Sequence, residues 1–124
     1  MNPKLSMRNN VLFLSVVFFF TISCKSGVEI VFINKSAENF KGLKADIGKK
    51  DTIFENLKSG ESTKPIRIAG SYSYCYLKVI TEQDTLSYIP TDYMGEKYYT
   101  SGKLKMKVEI EKDENGKRRL KFAD

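Results

Sequence analysis

All seven tyrosines of the chain fall between residues 72 and 99: Tyr72, Tyr74, Tyr76, Tyr88, Tyr93, Tyr98 and Tyr99. Tyrosine joins a large apolar ring to a polar tip, a combination suited to recognising a protein or a glycan. Three of them alternate in YSYCYLKVIT (72–81). On a strand, Tyr72, Tyr74 and Tyr76 would share one face with Lys78 and Ile80, and Cys75, Leu77 and Val79 would take the other. The second face is the more apolar and is expected to be core, which leaves the tyrosines as a stripe for a partner. The competing role is cross-strand packing, which tyrosine also performs well. A second cluster, TDYMGEKYY (91–99), lies in the longest expected loop and adds Tyr93, Glu96, Tyr98 and Tyr99 as candidate contact residues. Asp92 and Glu96 in that loop fall well short of a calcium motif.

Catalytic chemistry is poorly supplied. The sequence contains no histidine, which removes Ser-His-Asp and Cys-His catalysis and the commonest zinc sites. The carboxylates are scattered without a recognisable acid/base pair. There is no glycine-rich phosphate loop and no aromatic-basic signature of a nucleic-acid module. The expectation is a protein that is not an enzyme, carries no cofactor or metal, and binds no nucleic acid.

The elements that must position the tyrosines read as strands from end to end. Alternation or β-rich composition predicts strands over 28–33, 40–47, 52–57, 64–69, 72–81, 85–89, 103–111 and 117–122. The clearest is KLKMKVEIE (103–111), where Leu104, Met106, Val108 and Ile110 take every second place and Lys and Glu the others. That is the pattern of a sheet buried on one side and wet on the other. Pro65 suits an edge strand or a strand start, and Asn115-Gly116 is a strong hairpin signal. No segment reads as a helix. Strands and turns at this spacing predict a single small antiparallel β-sandwich over 28–124, immunoglobulin-like, with a small up-and-down barrel as the alternative.

Ahead of this region lies NNVLFLSVVFFFTISCKSG (9–27). From Val11 to Ile22 it is apolar except for Ser15 and Thr21. As a helix these residues would span about 18 Å, against roughly 30 Å of bilayer hydrocarbon. The length and the preceding Lys4 and Arg8 fit a signal peptide, whether translation starts at Met1 or Met7. TISC (21–24) resembles the lipobox of bacterial lipoproteins, with Thr21 standing where Leu is usual. The resemblance implies cleavage between Ser23 and Cys24 and a diacylglycerol thioether on Cys24, so that residues 1–23 are removed and 24–27 form a very short tether. It further implies a membrane partner held through lipid, since two or more acyl chains anchor stably without a spanning helix. KSG after Cys24 lacks the Asp that marks inner-membrane retention in enterobacterial lipoproteins, and lacks the acidic run of a Bacteroidetes-type surface-export tag. The expected location is the cell envelope, on the periplasmic face of an outer membrane in a diderm cell.

Without residues 1–23, which hold Lys4 and Arg8, 101 residues remain with 19 Lys and Arg against 15 Asp and Glu, a net +4. The late basic residues are interrupted by Glu109, Glu111, Asp113 and Glu114, which reads as a solvated mixed-charge surface. With Cys24 lipidated, Cys75 has no partner and is expected to be buried and inert. The function expected is a membrane-anchored binding module for another envelope protein or a glycan. The alternative is an inhibitor of a cell-wall-degrading enzyme such as lysozyme: YYTSGKL (98–104) resembles the aromatic-aromatic-x-x-Gly end of membrane-bound lysozyme inhibitors, though with Ser101 where those usually carry Lys.

Overall fold

Alternating apolar residues give each strand one face that water disfavours, and the chain hides those faces by stacking two sheets. A computed structural model describes residues 26–48, 50–91 and 95–123. The strands are β1 (Val28–Asn34), β2 (Phe40–Ile47), β3 (Lys50–Leu57), β4 (Ile66–Ile68), β5 (Tyr76–Ile80), β6 (Thr85–Tyr88), β7 (Lys103–Lys112) and β8 (Arg118–Ala123). One sheet has the order β4-β1-β7-β8 and the other β3-β2-β5-β6. Val28, Ile30, Phe32, Met106, Val108 and Leu120 from the first sheet meet Leu43, Ala45, Ile47, Leu57, Leu77 and Val79 from the second in one core. No ladder among the described strands joins the two sheets, so the architecture is the two-sheet sandwich and not the closed barrel.

Two expectations need correction. The sandwich is not wholly antiparallel: β1 runs parallel to β7, with Ile30 opposite Leu104 and Phe32 opposite Met106. Alternation assigns faces but carries no information on strand direction, so this pairing was invisible. The strand expected over 72–81 begins only at Tyr76. Its partner β2 supplies a last pair, Asp46 with Tyr76, and then turns through Gly48 at φ 66°, so the β2–β5 ladder stops there. The Asn115-Gly116 hairpin forms as expected between β7 and β8, with Gly116 at φ 79°. The turn is closed by the Asp113 carbonyl accepting from Gly116 N–H (3.0 Å), while Asp113 Oδ1 accepts from Asn115 and Lys117 N–H (2.9 Å each). The other expected strands form, with ends within about two residues of those expected. β4, just after Pro65, is an edge strand, and Leu43, Ala45 and Ile47 all face the core.

The two ends of the sandwich differ. At the end away from the start of β1, polar side chains tie the sheets together. Asn34 is fully buried; its Nδ2 donates to the carbonyls of Glu38 (2.8 Å) and Leu57 (3.1 Å), and its Oδ1 accepts from the N–H (2.9 Å) and hydroxyl (2.7 Å) of Ser36. Beside it, Arg118 of β8 grips both oxygens of Glu38 and donates to Asp84 through Nε (2.9 Å) and Nη2 (3.2 Å). Glu38 lies in the β1–β2 connection and Asp84 in the β5–β6 turn, so one guanidinium spans from the first sheet to loops of the second.

Candidate functional site

The other end, where β1 begins, gathers the loops that hold most of the tyrosines. Segment 69–75 and segment 95–102 are joined there by a two-bond bridge: Ser71 N–H donates to the Tyr99 carbonyl (2.9 Å) and Tyr99 N–H to the Ser71 carbonyl (2.8 Å). Next to this bridge, Gly70 leaves room for the Tyr98 ring. A Cβ at Gly70 would lie 2.5 Å from Tyr98 Cε2, so any other residue would push the ring aside. Tyr98 in turn meets Tyr72 edge-on, with ring centroids 5.0 Å apart at 74°. Lys97 Nζ sits 4.8 Å above the Tyr99 ring, a cation–π contact. A shallow cleft of about 220 Å³ lies between these groups, lined by Asp46, Gly48, Gly70, Ser71, Tyr72 and Tyr98 among others.

A second aromatic series runs from this rim toward the interior. Tyr74 meets Tyr88 (6.3 Å, 73°), and Tyr88 meets Phe122 of β8 edge-on (4.9 Å, 89°). That last contact bridges the edge strands β6 and β8, one from each sheet, where no hydrogen-bond ladder joins them.

The predicted contact residues are therefore divided. Tyr72, Tyr74, Tyr98 and Tyr99 come together at one end of the sandwich, although not as the single-strand stripe their alternation predicted. Tyr76 lies half-buried on β5, opposite Asp46. Glu96 is exposed in the loop. Cys24, Tyr93 and the whole of 1–23 lie outside the described residues. Gly70, Ser71, Asp46 and Ile89 belong to this end and were not singled out from the sequence. The signal for the first two was the small-residue run Ala69-Gly70-Ser71, which marks a break between strands rather than the approach to one.

The start of the described chain is fixed at this same end. Arg67 Nη1 donates to the carbonyls of Ser26 (3.2 Å) and Gly27 (3.3 Å), and Glu29 N–H donates to the Gly102 carbonyl (2.9 Å). Gly27 has φ 87°, and a Cβ there would fall 2.5 Å from the Ile68 carbonyl oxygen. Only glycine accepts both constraints without strain.

Cys75 sits just beneath the cleft, 4 % exposed. Burial, with a smaller contribution from the Asp46 charge, pushes its thiol up to about 12. The thiolate is the reactive form, so the native protein should resist iodoacetamide up to about pH 9 and react fully once unfolded. Mass spectrometry of alkylated native and urea-treated samples checks this; stoichiometric labelling of native Cys75 at pH 8 would contradict the burial.

On the outer face of the first sheet, the parallel register sets Lys103, Lys105 and Lys107 beside Glu29, Val31 and Ile33. Further along β7, Glu109 and Glu111 pair with Lys121 (3.5 and 3.3 Å) and Glu111 with Arg119 (2.6 Å). The late basic run is thus largely a mixed-charge sheet surface, as its interleaved acids implied. Among the described residues no group of three His, Cys, Asp or Glu side chains gathers where it could hold a metal ion.

No family model matches the chain, and no curated protein matches it. Among solved structures it is similar to the NMR structure of the protein from Eubacterium rectale, at 19 % identity and a TM-score of 0.56, over 82 % of this chain and 93 % of that one. At that identity the likeness shows the β-sandwich fold and nothing of its use.

Proposed function

We propose that the chain is a bacterial lipoprotein: a non-enzymatic β-sandwich held at a membrane surface through lipid on Cys24, where it binds another envelope protein or a glycan. The observation that carries the reading is TISC at 21–24, behind a short apolar run and two cations. Further support comes from how soon the domain follows, since only Lys25 and Ser26 separate Cys24 from Gly27, which Arg67 already holds. The whole sequence lacks histidine, which favours a binding role over hydrolytic or acyl-transfer chemistry. The sorting residues after Cys24 favour the periplasmic face of an outer membrane in a diderm cell.

The test is the intact mass of the mature N-terminal peptide isolated from cells, beside a Cys24→Ala variant. A diacyl or triacyl mass on Cys24 is expected, with the variant moving from the membrane to the soluble fraction. An unlipidated N terminus on the wild-type protein would refute the reading.

A further inference from the structure

We propose that the tyrosine-bearing end of the sandwich is a membrane-contact surface, with Tyr98 and Ile89 seated among phospholipid headgroups. The inference rests on lipidation of Cys24 and adds to it which face of the domain meets the bilayer. It begins from reach. Three residue steps separate Cys24 from Gly27, at most about 11 Å of extended chain. Gly27 is held against the domain by Arg67 and stands next to Glu29, which is bonded to Gly102. A lipid-bearing Cys24 therefore keeps this end, and no other, within about 11 Å of the lipidated residue, next to a headgroup layer roughly 5–8 Å deep per leaflet.

The chemistry of that end suits the place. Ile89 is 66 % exposed and Tyr98 53 % exposed, two of the four exposed large apolar side chains among the described residues. Ile89 follows Tyr88, whose partner Leu77 lies one residue past the start of β5, so it stands at the same end as Tyr98. Tyrosine concentrates at membrane–water interfaces because its ring sits in the apolar layer while its hydroxyl stays wet. The other two exposed apolar residues lie elsewhere: Ile80 rests over Gly42 and Ile53 is midway along the edge strand β3. Exposed Arg67, Lys97 and Lys103 surround the tyrosines, but Glu29, Asp46 and Glu96 lie there too. Opposed charges make the attraction one of aromatic and apolar area, so contact should change little between low and high salt. The opposite end offers the Arg118 ion pairs and the Asp113–Lys117 turn, and the one exposed large apolar side chain among the described residues there, Ile80, packs over Gly42.

The protein contains no tryptophan, so single substitutions Tyr98→Trp, Ile89→Trp and Asn115→Trp each create a unique fluorescent reporter. Asn115 is in the turn at the far end of β7, a ten-residue strand, and so lies roughly 30 Å from the tyrosines. Each full-length variant, purified from membranes with its own N terminus, is reconstituted into phosphatidylethanolamine–phosphatidylglycerol vesicles with or without brominated phosphatidylcholine. Expected is co-flotation with vesicles, blue-shifted emission and about twofold or greater bromine quenching for Tyr98→Trp and Ile89→Trp, and neither effect for Asn115→Trp. Ile89→Trp keeps the test decisive if Tyr98→Trp disturbs the packing on Gly70. Flotation without quenching at either position would overturn the proposal and leave the anchor standing, assigning the tyrosines to a soluble partner. Equal quenching at all three positions would also overturn it, since no defined face would then meet the lipid. Failure to float would remove the anchor and the contact face together.

Discussion

Replacing Asn34 with alanine should destabilise the domain by about 2–4 kcal/mol, a fall in Tm of about 10–20 °C for a domain of this size. The side chain is fully buried and uses both ends of its amide, donating to two carbonyls and accepting twice from Ser36. Alanine removes every one of these partners at once. The Leu57 carbonyl, at the end of β3, and the Ser36 N–H would then be buried without a hydrogen bond, and each such group costs about 1–3 kcal/mol. Some of that cost is relieved where water can follow, since the Glu38 side of the network is only partly buried. Asn34→Asp separates hydrogen bonding from shape: it preserves the outline but has no N–H to give Leu57 and places a carboxylate in the core, so it should be at least as damaging. Ser36→Ala, which leaves both Asn34 donor bonds in place, should cost only about 1 kcal/mol. Urea midpoints of the three variants check the order; a near-neutral Asn34→Ala would mean that this amide is not a structural tie.

Arg118→Ala should cost about 1–3 kcal/mol at neutral pH and, more tellingly, should flatten the acid side of the stability profile. The range lies between a surface and a buried ion pair because the Arg118 side chain is 16 % exposed and its two partners about twice that. Its hydrogen bonds hold the Glu38 and Asp84 carboxyls below their usual values, and Thr81 adds to the effect on Asp84. A carboxyl depressed by folding contributes stability that is fully present above its unfolded pKa, about 4, and is lost as pH falls through the folded value. The wild-type domain should therefore weaken as pH drops from about 5 toward 3. In Arg118→Ala the two carboxylates face each other without their cation, so protonation relieves repulsion instead of breaking a bond. The difference in urea midpoint between the two proteins should shrink as pH falls across that window. Glu111, lowered by Arg119 and Lys121, titrates in both proteins and cancels from the comparison. A gap that stays constant between pH 7 and pH 3.5 would show that Arg118 acts through its packing alone.

These two ties also mark where local reading of the chain stops. Asn34 falls in a stretch, NKSAEN, whose composition announced a turn and nothing more. Its partner Leu57 is 23 residues away, and Arg118 reaches Glu38 across 80 residues. Asn and Arg in such positions look like ordinary surface polarity until the sheets are stacked. By contrast, the strands containing Leu43, Ala45 and Ile47, or Met106 and Val108, were legible because a period of two is written into neighbouring residues. The tyrosines stand between the cases. Their clustering between 72 and 99 was plain, and so was the burial of Cys75, Leu77 and Val79 on the opposite side. Their arrangement was not.

What the sequence determined by itself was therefore which segments become strands, which face of each is buried, that Pro65 would precede an edge strand, and that Asp113–Lys117 would turn the chain back. All of these follow from chemistry within a few residues: alternation, the missing N–H of proline, the tolerance of glycine for positive φ. Tertiary structure decided that β1 would lie parallel to β7, that β5 would start at Tyr76 where its ladder with β2 ends at Asp46, and that Tyr72 would meet Tyr98 instead of lining up with Tyr74 and Tyr76. It also set the chain's start beside those tyrosines, through Arg67 and Gly102. The physical reason is common to all of them. A strand's pairing depends on which backbone lies next to it, and that neighbour is chosen by burying the apolar faces of the whole chain together, not by the spacing within any one segment.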